Sequence, residues 1–413
     1  MKFLKKKIDA LSSSSFMMFS VALLIAPLIL HIYIVYGNIN SWQITEWLIS
    51  YDGGFVRRGI GGEIVKILSS TFGLSPSLII IILSVISWLA LVFFIFQVSR
   101  DLIPSYLILS PVFLGMPVYA DFLVRKDVLG LLLLAMSLFV IRGWFGIGKY
   151  IAVYFFLLFG LLNHESIIFY GFPIVILAEI LSNKNIDWKR NIYPYFPLLL
   201  LALIVLINKG TEEIAIQISS FWNLYLEKNY AEFCCLNEHP AAIDSIGWTT
   251  WSGLKLSLGV LNDFDHIFIY VPAAWILTIF IVLQFGNWSL NRTIGRQFIA
   301  IFLIQLFFVS PLFLLGWDFG RWIFFITVSS LLWVSIFREV EISHKSLNHF
   351  VNLLHMRPWL TSKELFLFGL IIGVPGCCWG LKNVFLSTPL GDNFYSLYKL
   401  ALDFQFFDKL LIP

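Results

Sequence analysis

Charged residues are scarce in this sequence. Only 13% of its 413 residues are Asp, Glu, Lys or Arg, whereas 59% are hydrophobic and the mean hydropathy is +0.85. This balance excludes a soluble globular protein and is typical of an integral membrane protein. The sequence also lacks a basic patch of the kind that binds nucleic acid and a phosphate-binding loop of the soluble nucleotide-binding type. We therefore expect membrane lipids, and no nucleic acid, among its partners.

Cysteine is scarce as well. The four cysteines form two vicinal pairs, Cys234–Cys235 and Cys377–Cys378, and neither pair has metal-ligand spacing with histidines. We therefore expect no zinc site. The motifs require no other metal or cofactor, although an acidic site could recruit a metal ion. A disulfide between the two pairs, on the outer face of the membrane, is left open.

Long apolar runs, in contrast, are abundant. They predict an all-α fold, a polytopic membrane helix bundle of about eleven transmembrane helices. The predicted spans are Phe16–Tyr36, Pro76–Phe96, Tyr106–Val118, Val128–Ile141, Ile151–Leu162, Ser166–Leu181, Pro194–Ile207, Ile267–Phe285, Phe298–Leu315, Trp322–Phe337 and Leu365–Leu381. Several are shorter than the ~20 residues that a straight crossing needs. A count of ten to twelve, or helices that break within the membrane, therefore stays open.

The distribution of charge predicts the orientation of these spans. Lys2, Lys5, Lys6 and Lys7 precede the first run, which is too long for a signal peptide and has no small-residue cleavage site after it. We therefore predict an uncleaved first span with a cytoplasmic N-terminus. Lysine and arginine are then more numerous in the cytoplasmic segments than in the outer ones, as the positive-inside rule requires.

Two long outer loops and a C-terminal tail complete a single membrane domain, residues 1–413. The loops cover 37–75 and 208–266, and the second is mostly acidic. The tail, 382–413, has apolar residues at helical spacing, which predicts a helix lying on the membrane surface. Its apolar positions are Phe394, Leu397, Tyr398, Ala401, Phe404 and Phe407. Two long loops on one face could build a cavity at the outer leaflet.

The first outer loop carries an unusual motif, SYDGGFVRRGIGGEIVK, at positions 50–66. It combines Asp52, Arg57, Arg58 and Glu63 with several glycines. Glycines let backbone N–H groups approach a ligand closely, and paired arginines grip phosphate with forked donors. We interpret the motif as a loop that holds the phosphates of a lipid carrier. The alternative is a tight interfacial turn whose arginines meet lipid headgroups.

Three further charged clusters map to the same predicted face. They are Asp121, Arg125, Lys126 and Asp127 in DFLVRKD, Asn163, His164 and Glu165 in NHES, and Asp318 and Arg321 in GWDFGRW. Charged groups at this depth are costly unless paired or hydrated, so they often mark function. Each also has a structural explanation. Arg125 and Lys126 could anchor a helix end at headgroups, and Asp127 could cap its helix. His164 with Glu165, and Asp318 with Arg321, could simply pair.

The four clusters together predict glycosyl transfer. Several cations suit a pyrophosphate, whose charge grows as it leaves in the transition state. A histidine or carboxylate could remove the proton of an attacking sugar hydroxyl. The predicted catalytic residues are Asp52, His164 and Glu165, and the predicted substrate- and phosphate-binding residues are Arg57, Arg58, Arg125, Lys126, Asp318 and Arg321. A chain without a soluble domain cannot easily use a cytosolic nucleotide sugar, so a lipid carrier is the natural donor.

The stretch RKDVLGLLLLAMSLFVIRG…GLLNHESIIFYGFPIVIL resembles the core pattern of bacterial polysaccharide polymerases of the O-antigen and exopolysaccharide kind. That pattern has an arginine-led span, a short basic cytoplasmic link, and a span ending in histidine before a proline-containing span. GWDFGRW is similar to the family's late arginine near an outer-face aromatic. The resemblance implies a role for Arg125, His164 and Arg321. It also implies undecaprenyl-linked substrates at the periplasmic face, as in C-type membrane glycosyltransferases.

The DGGFVRRG loop is not part of that pattern. A long first outer loop with an early aspartate is similar to other C-type glycosyltransferases, in which this aspartate acts as the base. The resemblance therefore makes Asp52 a candidate base and leaves the subtype open.

The first predicted function is a polymerase in a bacterial inner membrane with its active site facing the periplasm. It would join undecaprenyl-pyrophosphate-linked repeat units, as donor and acceptor, into O-antigen or capsule. A chain-length regulator protein is an open partner. One alternative is a C-type enzyme that adds a single sugar from an undecaprenyl-phosphate donor. Another is a lipid-linked sugar transporter, which would carry functional charge on both faces and often internal repeats.

Overall fold

The computed structural model describes residues 13–182, 193–231, 235–238, 240–261, 292–316, 318–339, 361–373 and 388–402, with the single positions Pro272, Trp275, Ile276 and Phe280. Over these residues the chain is helical and contains no strand. The predicted all-α class is confirmed to that extent.

The helices are numbered here along the described residues. The first part of the chain forms α1 (Ser13–Tyr36), α2 (Trp42–Trp47), α3 (Gly59–Phe72), α4 (Pro76–Ser99), α5 (Ser105–Ile108), α6 (Met116–Tyr119), α7 (Asp127–Gly143), α8 (Gly146–Asn163), α9 (Ile167–Tyr170) and α10 (Phe172–Ser182). The second part forms α11 (Phe196–Ile207), α12 (Glu212–Asn229), α13 (Ala241–Asp244), α14 (Thr250–Leu261), α15 (Arg292–Leu315), α16 (Phe319–Ile336), α17 (Ser362–Ile372) and α18 (Pro389–Leu402).

Local sequence explains where several helices begin. Helix α4 starts at Pro76, a residue favoured in the first turn, and the Ser75 side chain accepts a hydrogen bond from the backbone N–H of Leu78. Helix α17 starts with a capping box formed by Thr361 and Glu364. These caps satisfy backbone N–H groups that would otherwise be unpaired at the helix ends.

Five of the described helices, α1, α4, α8, α15 and α16, are long and apolar enough to cross a membrane. Shorter apolar helices cover Ile167–Leu181 and Tyr193–Ile207. This supports a membrane-embedded helical protein, but neither the predicted count of eleven nor the predicted orientation is confirmed. Some predictions fall outside the described residues: most of Ile267–Phe285, the end of Leu365–Leu381, the N-terminal lysines, Cys234, Cys377, Cys378, Phe404 and Phe407.

The predicted span Tyr106–Val118 is not a continuous helix. Pro111 and Pro117 lie within it and break it, because proline cannot donate the helical hydrogen bond, and only the short helices α5 and α6 form. The irregular segment 100–126 nevertheless runs alongside α4. The Trp88 indole donates to the carbonyl of Leu114 at 2.7 Å, and the Ser84 hydroxyl donates to the carbonyl of Val124 at 3.3 Å.

Helices α7 and α16 form the centre of the bundle. Every residue of α16 is buried, and α7 packs against α4, α8, α10 and α16 within the largest buried apolar cluster. The two helices begin side by side, with Asp127 as the first residue of α7 and Arg321 in the first turn of α16. The centre of the fold therefore places charged residues together at one end of the bundle.

The predicted tail helix forms as α18 and packs against α1 and α17. Its polar Asn393 and Ser396 are buried, whereas Phe394, Leu397 and Tyr398 are each more than half exposed. The apolar stripe that predicted this helix thus points away from the bundle, as a lipid-facing surface does.

Candidate functional site

The charged clusters surround a cavity of about 540 Å³ at one end of the bundle. Its wall comes from α2, from the loops before α3, α7 and α9, from the segment 245–249, and from parts of α9, α14, α15, α16 and the end of α11 with the loop after it. Most of the residues predicted to form the site line it, namely Arg57, Arg58, Arg125, His164, Glu165, Asp318 and Arg321. The fold therefore brings together residues that are far apart in the sequence.

Two predicted residues lie elsewhere. Asp52 accepts hydrogen bonds from the Ser50 hydroxyl at 2.6 Å and from Lys66 at 2.8 Å, and it is not part of the cavity wall. Lys126 lies behind the wall, fully buried, and its ammonium donates to the backbone carbonyl of Arg58 at 2.8 Å. Nothing in the structure tests the roles predicted for them, but neither contacts the cavity directly.

The glycine-rich loop uses its glycines for packing. Arg58 precedes α3 in a left-handed conformation, with φ of 68°. A Cβ atom at Gly59 would lie 2.2 Å from the Tyr51 ring, and one at Gly62 would lie 2.3 Å from the carbonyl oxygen of Ile49. Glycine is required at these two positions because α3 packs tightly against the preceding loop. This packing orients both arginines of the motif.

Glu165 is held by both arginines of that motif. Arg58 donates from Nε to Glu165 Oε2 at 2.7 Å and from Nη2 to Oε1, and Arg57 Nη1 lies 3.3 Å from Oε1. Burial raises the pKa of the Glu165 carboxyl, but the charges of Arg57 and Arg58 outweigh it and hold the pKa well below its usual range. Glu165 is therefore an anion whose oxygens are already engaged, which suits it to orient arginines.

Glu46 is a site residue that the sequence did not predict. Its Oε1 lies 3.1 Å from His164 Nε2 and 3.4 Å from Arg58 Nη1. The backbone N–H of Ser166 donates to His164 Nδ1 at 3.2 Å, so neutral His164 carries its proton on Nε2 and donates it to Glu46. Glu46 is almost fully buried, and its Oε2 has no hydrogen-bond partner within the described part of the chain.

The ionisation of Glu46 is fixed by its neighbours. Burial raises the pKa of this carboxyl, but the hydrogen bond from His164 and the charges of Arg58 and Arg125 outweigh it and hold the pKa well below its usual range. The only sequence signal for Glu46 was a lone acid in the apolar stretch ITEWLI. A single buried carboxylate of this kind has no motif to mark it.

Arg321 joins the two central helices. It donates to Asp127 from Nε at 2.7 Å and from Nη2 at 2.8 Å, and from Nη1 to Asp318. Arg125 Nη1 also donates to Asp318 at 3.1 Å. Asp318 and Arg321 thus do pair, as their spacing allows, but the arginine's two-pronged contact is with Asp127. That contact is a structural tie between α7 and α16.

Positive charge exceeds negative charge on the cavity wall. The cations are Arg57, Arg58, Arg125, Lys209 and Arg321, and the carboxylates are Glu46, Glu165 and Asp318. Lys209, another residue that the sequence did not predict, donates to the carbonyl of Trp248 at 3.0 Å and has no carboxylate partner among the residues described. Arg125 Nε is also without a partner there. This excess favours an anionic ligand such as a phosphate.

Part of the cavity wall is apolar. It is formed by Phe169, Leu206, Leu254, Leu312, Leu315 and Trp322. Near it, Ile207 and Leu314 are more than 70% exposed on the flank of the bundle. A ligand with a charged head and an apolar tail matches this combination of charged and apolar lining residues.

Lys126 should make stability depend on pH. Burial lowers its pKa from 10.5 to about 7, a shift that the charges of Glu46 and Glu165 reduce and that of Arg58 increases. The unfolded state therefore binds more protons between pH 7 and pH 10.5, so the free energy of unfolding should rise with pH across this window. The slope contributed by one group approaches about 1.4 kcal/mol per pH unit.

Comparing wild type with Lys126→Met isolates this contribution. We expect the free energy of unfolding of the wild type, measured in detergent, to rise relative to that of the variant between about pH 7 and pH 10. Parallel curves for the two proteins would show that Lys126 titrates normally.

No metal-binding group of three or more His, Cys, Asp or Glu residues occurs in the described ranges. Cys235 is disulfide-bonded, and the other three cysteines lie outside those ranges. Whether a disulfide joins the two cysteine pairs therefore stays open.

Fold and site together define a helical membrane protein with a cationic cavity at one end of its bundle. Comparison with protein-family models, with curated proteins and with solved structures finds no match to this chain. The resemblance to polysaccharide polymerases therefore rests on the sequence motifs alone, and any functional assignment has to come from the cavity.

Proposed function

We propose that this chain is a membrane glycosyltransferase that takes a sugar from a polyprenyl phosphate or pyrophosphate carrier. One observation carries the proposal: a single cavity joins an excess of cations, a His–carboxylate pair and an apolar wall. Each part matches one part of such a donor and its reaction.

The cations match the leaving group. Negative charge builds up on the phosphate as its bond to the sugar breaks, and fixed guanidinium groups stabilise it most at that point. Arg57 is the most available of them, since its side chain is 28% exposed whereas that of Arg321 is 6% exposed. Arg57, Arg125 and Lys209 would bind the phosphates, and Arg58 and Arg321 would shape the wall.

The His–carboxylate pair matches the attacking group. Both ring nitrogens of His164 are engaged, so His164 has no free lone pair, whereas Glu46 keeps an oxygen without a partner. We assign Glu46 as the base and His164 as the residue that orients it. Glycosyl transfer passes through an oxocarbenium-like transition state, so the sugar hydroxyl loses its proton late and a weakly basic carboxylate suffices.

The apolar wall matches the polyprenyl chain. A tail lying against Leu206, Leu254 and Leu315 could leave the cavity towards lipid on the flank of the bundle.

Our first assignment, which rests on the sequence motifs, is a polymerase that joins lipid-linked repeat units. It would act in a bacterial inner membrane with its site towards the periplasm. Transfer of a single sugar is the alternative, and the cavity volume favours it. About 540 Å³ lies within the range of ~300–1,000 Å³ typical of small-ligand sites. A transporter is disfavoured by the position of the cavity at one end of the bundle, since transporter sites lie near the midplane.

A surface-polysaccharide gel tests the assignment in the native organism. Deleting the gene should collapse the polysaccharide ladder to a single repeat unit, and wild type should restore the ladder. Arg57→Ala should not restore it, because the phosphates lose a forked donor. Arg100→Ala, at an exposed arginine remote from the cavity, is the matched control and should restore it.

Other outcomes separate the alternatives. A ladder whose bands shift by one sugar would favour single-sugar transfer. Repeat units that remain on the cytoplasmic side would favour transport. An unchanged ladder would contradict the proposal.

A further inference from the structure

Two tryptophans form a corner in the cavity wall. Trp42 opens α2, and Trp248 follows the 3-10 turn Ser245–Gly247. Their ring centroids are 6.5 Å apart and the ring planes meet at 58°. Both side chains are partly exposed and line the cavity. They differ in this from Trp47, Trp222 and Trp333, which are fully buried in the core.

The corner lies beside the proposed base. Trp42 and Glu46 are four residues apart on α2, so they project from the same face of the helix. On the other side, Ser245 and Thr249 add hydroxyl groups to the wall next to Trp248. An aromatic surface, hydroxyl groups and a carboxylate residue therefore all line the cavity. The unpaired oxygen of Glu46 is itself buried, so it reaches a bound sugar only when the carboxylate turns towards the cavity.

This combination recognises a sugar ring. A pyranose has a face of C–H groups, which stacks on the electron-rich face of an indole, and a rim of hydroxyl groups, which needs hydrogen-bond partners. Phosphate has no such apolar face and would be bound by the arginines instead. Tryptophans also gather in aromatic belts at membrane interfaces, but belt residues face lipid, whereas these two share a cavity wall with Glu46.

We propose that Trp42 and Trp248 form the acceptor subsite, with the sugar stacked in the corner and its attacking hydroxyl directed towards Glu46. The acceptor role of this subsite rests on the proposed function. Carbohydrate binding between the two tryptophans does not rest on it, so binding and transfer are tested separately.

The test measures binding without catalysis. Oligosaccharide released from the organism's own surface polysaccharide is titrated into the full-length, detergent-purified protein, and its binding is followed by saturation-transfer NMR. Trp42→Ala and Trp248→Ala should each weaken binding about tenfold or more, through loss of the stacking surface. Trp42→Phe should recover most of it. Trp251→Ala, at a tryptophan that is 70% exposed and outside the cavity wall, should bind like wild type.

Inorganic pyrophosphate is the second probe. Its affinity should be unchanged in Trp42→Ala and reduced in Arg57→Ala, whereas the oligosaccharide should behave in the opposite way. Thermal unfolding of each variant checks that it is folded.

The outcomes distinguish the two ideas. Wild-type-like oligosaccharide binding by both alanine variants, or no binding by the wild type, overturns the subsite. Oligosaccharide binding that depends on the tryptophans, in a protein that transfers no sugar, upholds the subsite and overturns the proposed function.

Discussion

Replacing Arg321 by leucine should lower the free energy of unfolding by about 3–5 kcal/mol, the usual cost of breaking a buried ion pair. The Asp127 side chain is 0% exposed and bonds Arg321 through both of its oxygens. Without the guanidinium, a desolvated carboxylate remains between α7 and α16, at the centre of the bundle. The measurement is unfolding of the purified protein in mixed micelles, followed by tryptophan fluorescence.

A double variant tests whether this loss comes from the unpaired charge. Arg321→Leu combined with Asp127→Leu removes both charges and should recover most of the stability, because Asp318 keeps its contact with Arg125. The matched control is Arg142→Leu, which breaks an exposed pair with Glu339 and should change stability by about 0–1 kcal/mol. An Arg321→Leu protein as stable as wild type would mean that the tie between α7 and α16 is absent.

Replacing Glu46 by glutamine should lower kcat by about 10²–10⁴-fold, the usual contribution of general acid–base catalysis. Glutamine has the same shape, and its oxygen can still accept the proton of His164 Nε2, so the site should keep its geometry. It cannot accept the proton of the sugar hydroxyl. The assay is transfer of a labelled sugar or repeat unit in membranes that contain the variant.

Asp52→Asn is the comparison that decides between Glu46 and Asp52 as the base. Asp52 is bonded to Ser50 and Lys66 and lies off the cavity wall, so this variant should keep a kcat near that of wild type. A loss of activity in Asp52→Asn with an active Glu46→Gln would reverse the assignment and restore the base implied by the sequence resemblance.

Those site residues that occur in charged clusters could be predicted from the sequence. The Arg57–Arg58 pair and the NHES motif stand out in an apolar chain, and the fold gathers most of the charged clusters around one cavity. Glu46, Trp42 and Lys209 could not be found in this way, because each is a single residue whose role depends on what the fold brings near it. Lys126 shows the converse, since its cluster suggested a ligand contact but its side chain is buried behind the wall.

For the fold, the helical class could be predicted from the sequence, but the break in one predicted helix was missed. Apolar runs give the all-α class because helices satisfy their own backbone in lipid. They also led to the expectation of a helix at Tyr106–Val118, where Pro111 and Pro117 signal a break. Such a segment can remain non-helical only if helices distant in the sequence pack over it. A local sequence pattern does not show that packing.

The irregular segment 100–126 has a consequence for how the chain is made. A helix can enter a bilayer alone, but backbone without helical pairing cannot, because each unpaired group in hydrocarbon costs several kcal/mol. Part of its cover comes late: Phe122 packs edge-on against Phe324 of α16, with ring centroids 5.4 Å apart. During synthesis this part of the cover can therefore form only after α16 has been made. A chain cut short before α16 should hold Phe122 less tightly, because its aromatic partner is missing.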